Sequence, residues 1–153
     1  MNTSKLHSVF KSNAGIGALL LRVPVGIILS AHGAQKLFAW FGGYGLEGTG
    51  QWMASIGLEP GFLMALLAGT AEFFGGLALI LGLLTRPAAL ISAFTMVVAI
   101  FSVHVGNGLF MANDGYEFAL SLLAATAALT AFGGGRFALD NAIANKLAST
   151  DRS

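Results

Sequence analysis

"GFLMALLAGTAEFFGGLALILGLL", Gly61–Leu84, is an apolar run interrupted by one ionisable residue, Glu72. A helix needs about 20 such residues to cross the roughly 30 Å hydrocarbon core of a bilayer, so this stretch reads as a membrane span. Three similar runs surround it. Gly15–Phe41 is interrupted by Arg22, His32 and Lys36, Pro87–Val105 is of spanning length, and Tyr116–Phe132 is slightly short. All four are continuous, without the ten-residue alternation of a membrane β-barrel.

The composition agrees. Charged residues make up 10% of the 153 and hydrophobic residues 56%, whereas a soluble domain carries about 25% charged. A chain of 15.8 kDa with a mean hydropathy of +0.77 cannot hide that much apolar surface from water. The expected fold is an all-α integral membrane protein, a four-transmembrane-helix bundle forming one membrane domain over residues 1–153. Its spans are 15–41, 61–84, 87–105 and 116–132, followed by a short cytoplasmic tail, 133–153. A net charge of +1 gives no reason to expect nucleic acid as a partner. The chain has no cysteine, hence no thiolate nucleophile and no cysteine ligand for zinc or iron–sulfur.

Between the first two spans, "FGGYGLEGTGQWMASIGLEP" suggests a short interfacial helix over Thr49–Ile56, capped by Thr49 and presenting Trp52. Pro87 suits a first helical position after a tight turn. The tail "FALDNAIANKLAST" is at best a weakly amphipathic helix. The first run is longer than the 7–15 residues of a signal-peptide core, so it reads as a retained span. Lys5, Lys11, Arg86, Arg136, Lys146 and Arg152 fall on one side of the membrane, Glu47, Glu59 and Asp114 on the other. The positive-inside rule therefore places both termini in the cytoplasm of a multi-pass protein.

Ionisable groups in hydrocarbon cost several kcal/mol unless they pair, snorkel or line a wet cavity. At 100° per residue, Arg22, His32 and Lys36 share an arc of about 80° on the first span. Lys36 and Arg22 could each snorkel to an interface, Arg22 towards cytoplasmic phosphates. Glu72 sits mid-span and cannot reach water. Its face carries Ala65, Ala68, Gly75 and Gly76, which suits close helix contact. Side chains lean towards their helix N-termini, which favours His32 as its nearest ionisable partner, with Lys36 just above and Arg22 the weaker alternative.

On the fourth span, Glu117 heads a stripe of Ser121, Ala124, Ala128 and Ala131 that reads as a packing seam. Glu117 could equally be an acidic first-turn residue facing the helix dipole. The third span shows Ser92, Thr95, Ala99 and Ser102 in similar register, and α-helical rotation turns His104 away from Ser102. The candidate site is thus His32, Lys36, Glu72 and Glu117, with Arg22 and His104 as weaker members. No Glu-x-x-His pair of di-iron type occurs, and no metal is expected. Imidazole and ammonium beside carboxylates in an apolar cavity suit a quinone headgroup at His32, Lys36 and Glu72, where a carbonyl oxygen needs a donor and a nearby proton. A small anion or a proton relay would suit the same groups.

The pieces "SAHGAQKLF", "AEFFGGLALILGLLTRPAAL", "GYEFALSLL" and "GGGRFALD" together resemble the DoxX family of small bacterial inner-membrane proteins. Arg22, His32, Gly33, Lys36, Glu72, Gly76, Arg86, Glu117 and Asp140 match the family pattern. The resemblance implies a four-helix protein of the bacterial inner membrane. Some relatives are membrane subunits of thiosulfate:quinone oxidoreductases, and others are associated with redox or oxidative-stress complexes. Without cysteine, sulfur chemistry would fall to a partner. Three readings stay open. The first is a quinone-interacting membrane subunit or anchor of a redox system, working with a redox partner protein or as a homo-oligomer. The second is a small-solute transporter or permeability factor. The third is a non-catalytic assembly or stress-response protein, whose mark would be a dry cluster with every group paired.

Overall fold

A computed structural model describes residues 10–150, apart from the side chain of Thr150; Lys5 and Arg152 lie outside the described residues. Among the described residues, six helices of ten or more residues follow in order: α1 Ile16–Phe38, α2 Gly45–Ser55, α3 Gly61–Leu81, α4 Thr85–Ala99, α5 Glu117–Phe132 and α6 Leu139–Thr150. A π turn, Ile100–His104, and a 3-10 turn, Val105–Asn107, continue α4. No strand occurs among the described residues. Among the described residues, three helical stretches are long and apolar enough to cross a membrane: Ile16–Phe38, Gly61–Leu81 and Thr85–Asn107. The fourth, α5, has 16 residues, about 24 Å at 1.5 Å per residue.

Apolar side chains cover the outside. Leu20, Ile27, Phe62, Phe74, Phe94 and Phe101 are all exposed, a surface that water would not tolerate and lipid does. Polar groups such as Arg22, Glu72, Ser92 and Thr126 are buried inside. This is an integral membrane protein.

The most extensive packing joins α1 to α3, and glycine sets its closeness. A Cβ on Gly26 would fall 2.6 Å from the Gly76 carbonyl oxygen, and one on Gly33 would collide with the Phe73 backbone. On α3 the buried face is Gly61, Ala65, Gly69, Glu72, Gly76 and Leu79, close to the small face read from sequence. That contact holds Lys36 against Glu72.

Several elements depart from expectation. The first span ends at Phe38, where Ala39 turns left-handed and a 3-10 turn, Trp40–Gly42, follows. The second ends at Leu81, capped by left-handed Gly82. Helix α2 starts at Gly45, so Thr49 is a buried interior residue and not the cap. Pro87 is the third residue of α4 and not the first. The expected seam of α5 is turned outward: Ser121, Ala124 and Ala131 are exposed, while Ala119, Leu122, Thr126 and Leu129 are buried. The reason is complementarity. On α4, Ala88 and Ala89 join the same core cluster as Leu122 and Leu129, so large side chains of one helix fill the space left by small ones of the other. Of the α4 stripe, Ser92 is buried and Ser102 exposed.

Helix α6 is part of the body of the protein. The Asp140 carboxylate accepts from the backbone N–H groups of Leu84 (2.7 Å) and Thr85 (2.8 Å), capping α4.

Candidate functional site

Glu72 is buried at the middle of α3, and its carboxylate faces α1. Lys36 Nζ lies 2.6 Å from Glu72 Oε2, with the two side chains 21% and 7% exposed. An unpaired carboxylate at that depth would be too costly to keep charged; an ammonium at contact distance offsets the burial. Lys36, not His32, is therefore the direct partner. The lysine stem is long enough to lean back down α1 to the carboxylate. The shorter His32 side chain sets its ring against Phe118, with centroids 5.8 Å apart.

Behind the pair lies a partly open cavity of about 110 Å³ between α1, α3, α4 and α5. His32, Lys36, Glu72 and His104 line it with their polar groups, and Leu29, Met96, Ala99 and Leu122 among others supply apolar walls. His104 reaches it through the π turn. On an α-helix, Ala99 and His104 would lie about 140° apart; the i to i+5 geometry brings both to the cavity. Its Nδ1 lies 2.7 Å from the Asp114 carbonyl oxygen. A carbonyl can only accept, so Nδ1 is the donor, and Nε2 is the ring nitrogen not engaged by that bond.

Two expected members lie elsewhere. Arg22 is 1% exposed and sits at the far end of α1, so it neither snorkels nor meets Glu72. Its guanidinium donates to the carbonyl oxygens of Leu79 (2.8 Å), Gly134 (3.1 Å), Phe137 (3.0 Å) and Ile80. Its burial is compensated by backbone, because the chain after α5 folds back over it. Glu117 accepts from the Met111 backbone N–H at 2.6 Å, bracing the loop before α5; the cavity is reached by its neighbours Phe118 and Ala119.

Lys36 also lines a second space, an open groove of about 540 Å³ between the end of α1 and α2. Gln35, Tyr44, Thr49 and Trp52 line it together with Gly42, Gly43 and Gly48. From sequence, Gln35 and Lys36 fall in the first span, 42–48 in a connection, and Thr49 and Trp52 in an interfacial helix, with no groove expected between them. Their signal was the glycine spacing around Tyr44 and Trp52, which lets the loop lie on α1: Gln35 Nε2 donates to the Phe41 carbonyl at 3.3 Å. Among the described residues, no group of three or more His, Asp or Glu is placed to hold a metal.

The sequence model of the family described as DoxX matches residues 17–105, from α1 through the turns after α4. The chain belongs to the DoxX family. The DoxX match covers all four polar residues of the inner cavity and ends before Glu117 and Asp140. The chain is 41% identical over 126 residues to the Bacillus subtilis (strain 168) protein named "Putative oxidoreductase CatD", covering 82% of this chain and 85% of that one. It is 33% identical over 137 residues to the inner membrane protein YqjF of Escherichia coli (strain K12), covering 86% and 95%. To the inner membrane protein YphA of the same organism it is 30% identical over 105 residues, covering 68% and 70%. No solved structure matches the chain. With these relatives and its apolar helices, this DoxX member is a bacterial membrane protein.

Proposed function

We propose that this DoxX protein is a quinone-interacting membrane subunit of a bacterial redox system, and that it binds and protonates the quinone while a partner protein supplies electrons. One observation carries the reading. The buried Lys36–Glu72 pair separates an aromatic-lined groove from a cavity holding two histidines. A purely structural pair would be enclosed by packed side chains; this one has space on both sides and exchangeable protons within reach. The name of CatD supports a redox setting. The cysteine-free sequence leaves electron transfer from thiols or iron–sulfur centres to the partner.

The same proposal takes the chain as one domain with four spans, α5 crossing as the fourth, in the inner membrane. Lys11, Arg86 and Arg136 would lie at the cytoplasmic end and Glu47, Glu59 and Asp114 outside.

The test is titration of ubiquinone and menaquinone analogues into the purified protein in nanodiscs. Saturable binding that Glu72→Gln weakens tenfold or more, with the fold intact by circular dichroism, is expected. Absence of binding by the wild type, or equal binding by Glu72→Gln, would overturn the reading.

A further inference from the structure

Resting on the quinone reading, we propose that the ring binds in the groove between α1 and α2, and that the inner cavity serves to resupply Lys36 with protons. Size separates the two spaces. A cavity of ~150 Å³ admits a bare benzene ring, and the inner cavity measures about 110 Å³. At ~30 Å³ per water it has room for about three or four waters, too little for a ring with two carbonyl oxygens and further substituents. The groove, at about 540 Å³, lies within the roughly 300–1,000 Å³ of small-molecule sites.

Chemistry selects the occupant. A quinone ring presents flat faces and oxygens that only accept hydrogen bonds. The groove is lined by Gln35, Lys36, Tyr44, Thr49 and Trp52, which all carry an N–H or O–H donor and two of which are aromatic, and none of its lining residues is a carboxylate. Gly43 keeps the groove wall against α1, since a Cβ there would lie 2.5 Å from Gln35 Cα. A polyprenyl tail leaving the groove meets exposed Trp40 and Phe41 and then lipid.

Lys36 belongs to both spaces. Quinone reduction adds two electrons, from the redox partner, and two protons. Lys36 gives one proton: its N–H bond breaks and an O–H bond forms on one ring oxygen, leaving a neutral amine beside Glu72. A proton taken up from bulk water at half-exposed His104 passes through cavity water and His32 to that amine and restores the ammonium. The second ring oxygen, at the mouth of the groove, takes its proton from bulk water.

The experiment uses Trp40→Phe protein in nanodiscs, which leaves Trp52 as the one tryptophan of the two in the sequence, and decylubiquinone as the probe. Saturable quenching of Trp52 is expected. Gln35→Leu and Thr49→Val should each raise the Kd tenfold or more. Ala99→Leu, which fills the cavity, and His104→Gln, which removes the imidazole without filling it, should leave the Kd within twofold. Both should slow quinol formation by dithionite at least tenfold. If Ala99→Leu abolishes binding while Gln35→Leu and Thr49→Val do not, the ring lies inside and this inference fails while the quinone reading stands. If both cavity variants are reduced at the wild-type rate, the proton role of the cavity falls. If the wild type shows no saturable quenching, the quinone reading falls and takes the groove with it.

Discussion

The two ends of the bundle bury charge in opposite ways. At the end that holds Arg22, every guanidinium nitrogen of that residue donates to a backbone carbonyl. Nearby, Asp140 caps α4, Arg86 donates to the carbonyls of Thr130 and Ala131, and Ser12 and Asn141 tie the chain before α1 to the segment after α5. At the aromatic end, Glu72 meets another side chain, and open space lies beside the pair. Burial alone does not separate these cases, since Arg22 is 1% exposed and Glu72 5%. The kind of partner does. Backbone partners are fixed and make a charge structural, whereas a side-chain partner beside a cavity can move and exchange a proton.

Substitutions can break this contrast. Arg22→Met removes a donor from four carbonyls and should cost about 3–5 kcal/mol, as for removal of one member of a buried charged network, seen as a large drop in detergent Tm. Arg22→Lys should recover little, because an ammonium cannot reproduce the planar fork. A Glu72→Gln loss as large as that of Arg22→Met would erase the distinction. Gly76→Leu should cost roughly 1–3 kcal/mol through overpacking where α3 touches Ser30 and Gly26. Asp140→Ala removes both hydrogen bonds to the start of α4 and should cost about 1–2 kcal/mol, with faster amide exchange at Leu84 and Thr85. The smallest effect is expected at Ala124→Leu, within about 0.5 kcal/mol of wild type, because Ala124 faces outward. A large loss there would restore the seam that the structure turned away.

Much of the fold was legible because hydrocarbon leaves few options. Apolar runs located the start of α3 and the end of α5, and Glu72 stood out as the carboxylate unable to reach water. What stayed hidden depended on three-dimensional partners. Lys36 displaced His32 because reach along a side chain outweighs nearness along the helix axis. His104 entered the cavity through a π turn that a 100° rotation does not describe. The partners of Arg22 come from residues more than fifty positions away. The buried face of α5 was misread because both sides of a membrane helix are apolar, and only the alanines of α4 show which side takes the leucines. The groove stayed hidden because its walls come from the end of the first span, a glycine-rich connection and the interfacial helix, whose mutual packing the sequence does not show.

The cap on α4 has a consequence for how the protein is made. The carboxylate that closes the start of this helix lies 55 residues further along the chain. The α3–α4 hairpin is therefore synthesised before its latch. Until Asp140 emerges and docks, Leu84 and Thr85 present bare N–H groups at the mouth of the hairpin. A product cut short before that point would lack the latch and be distinguishable, by those open donors, from a finished one.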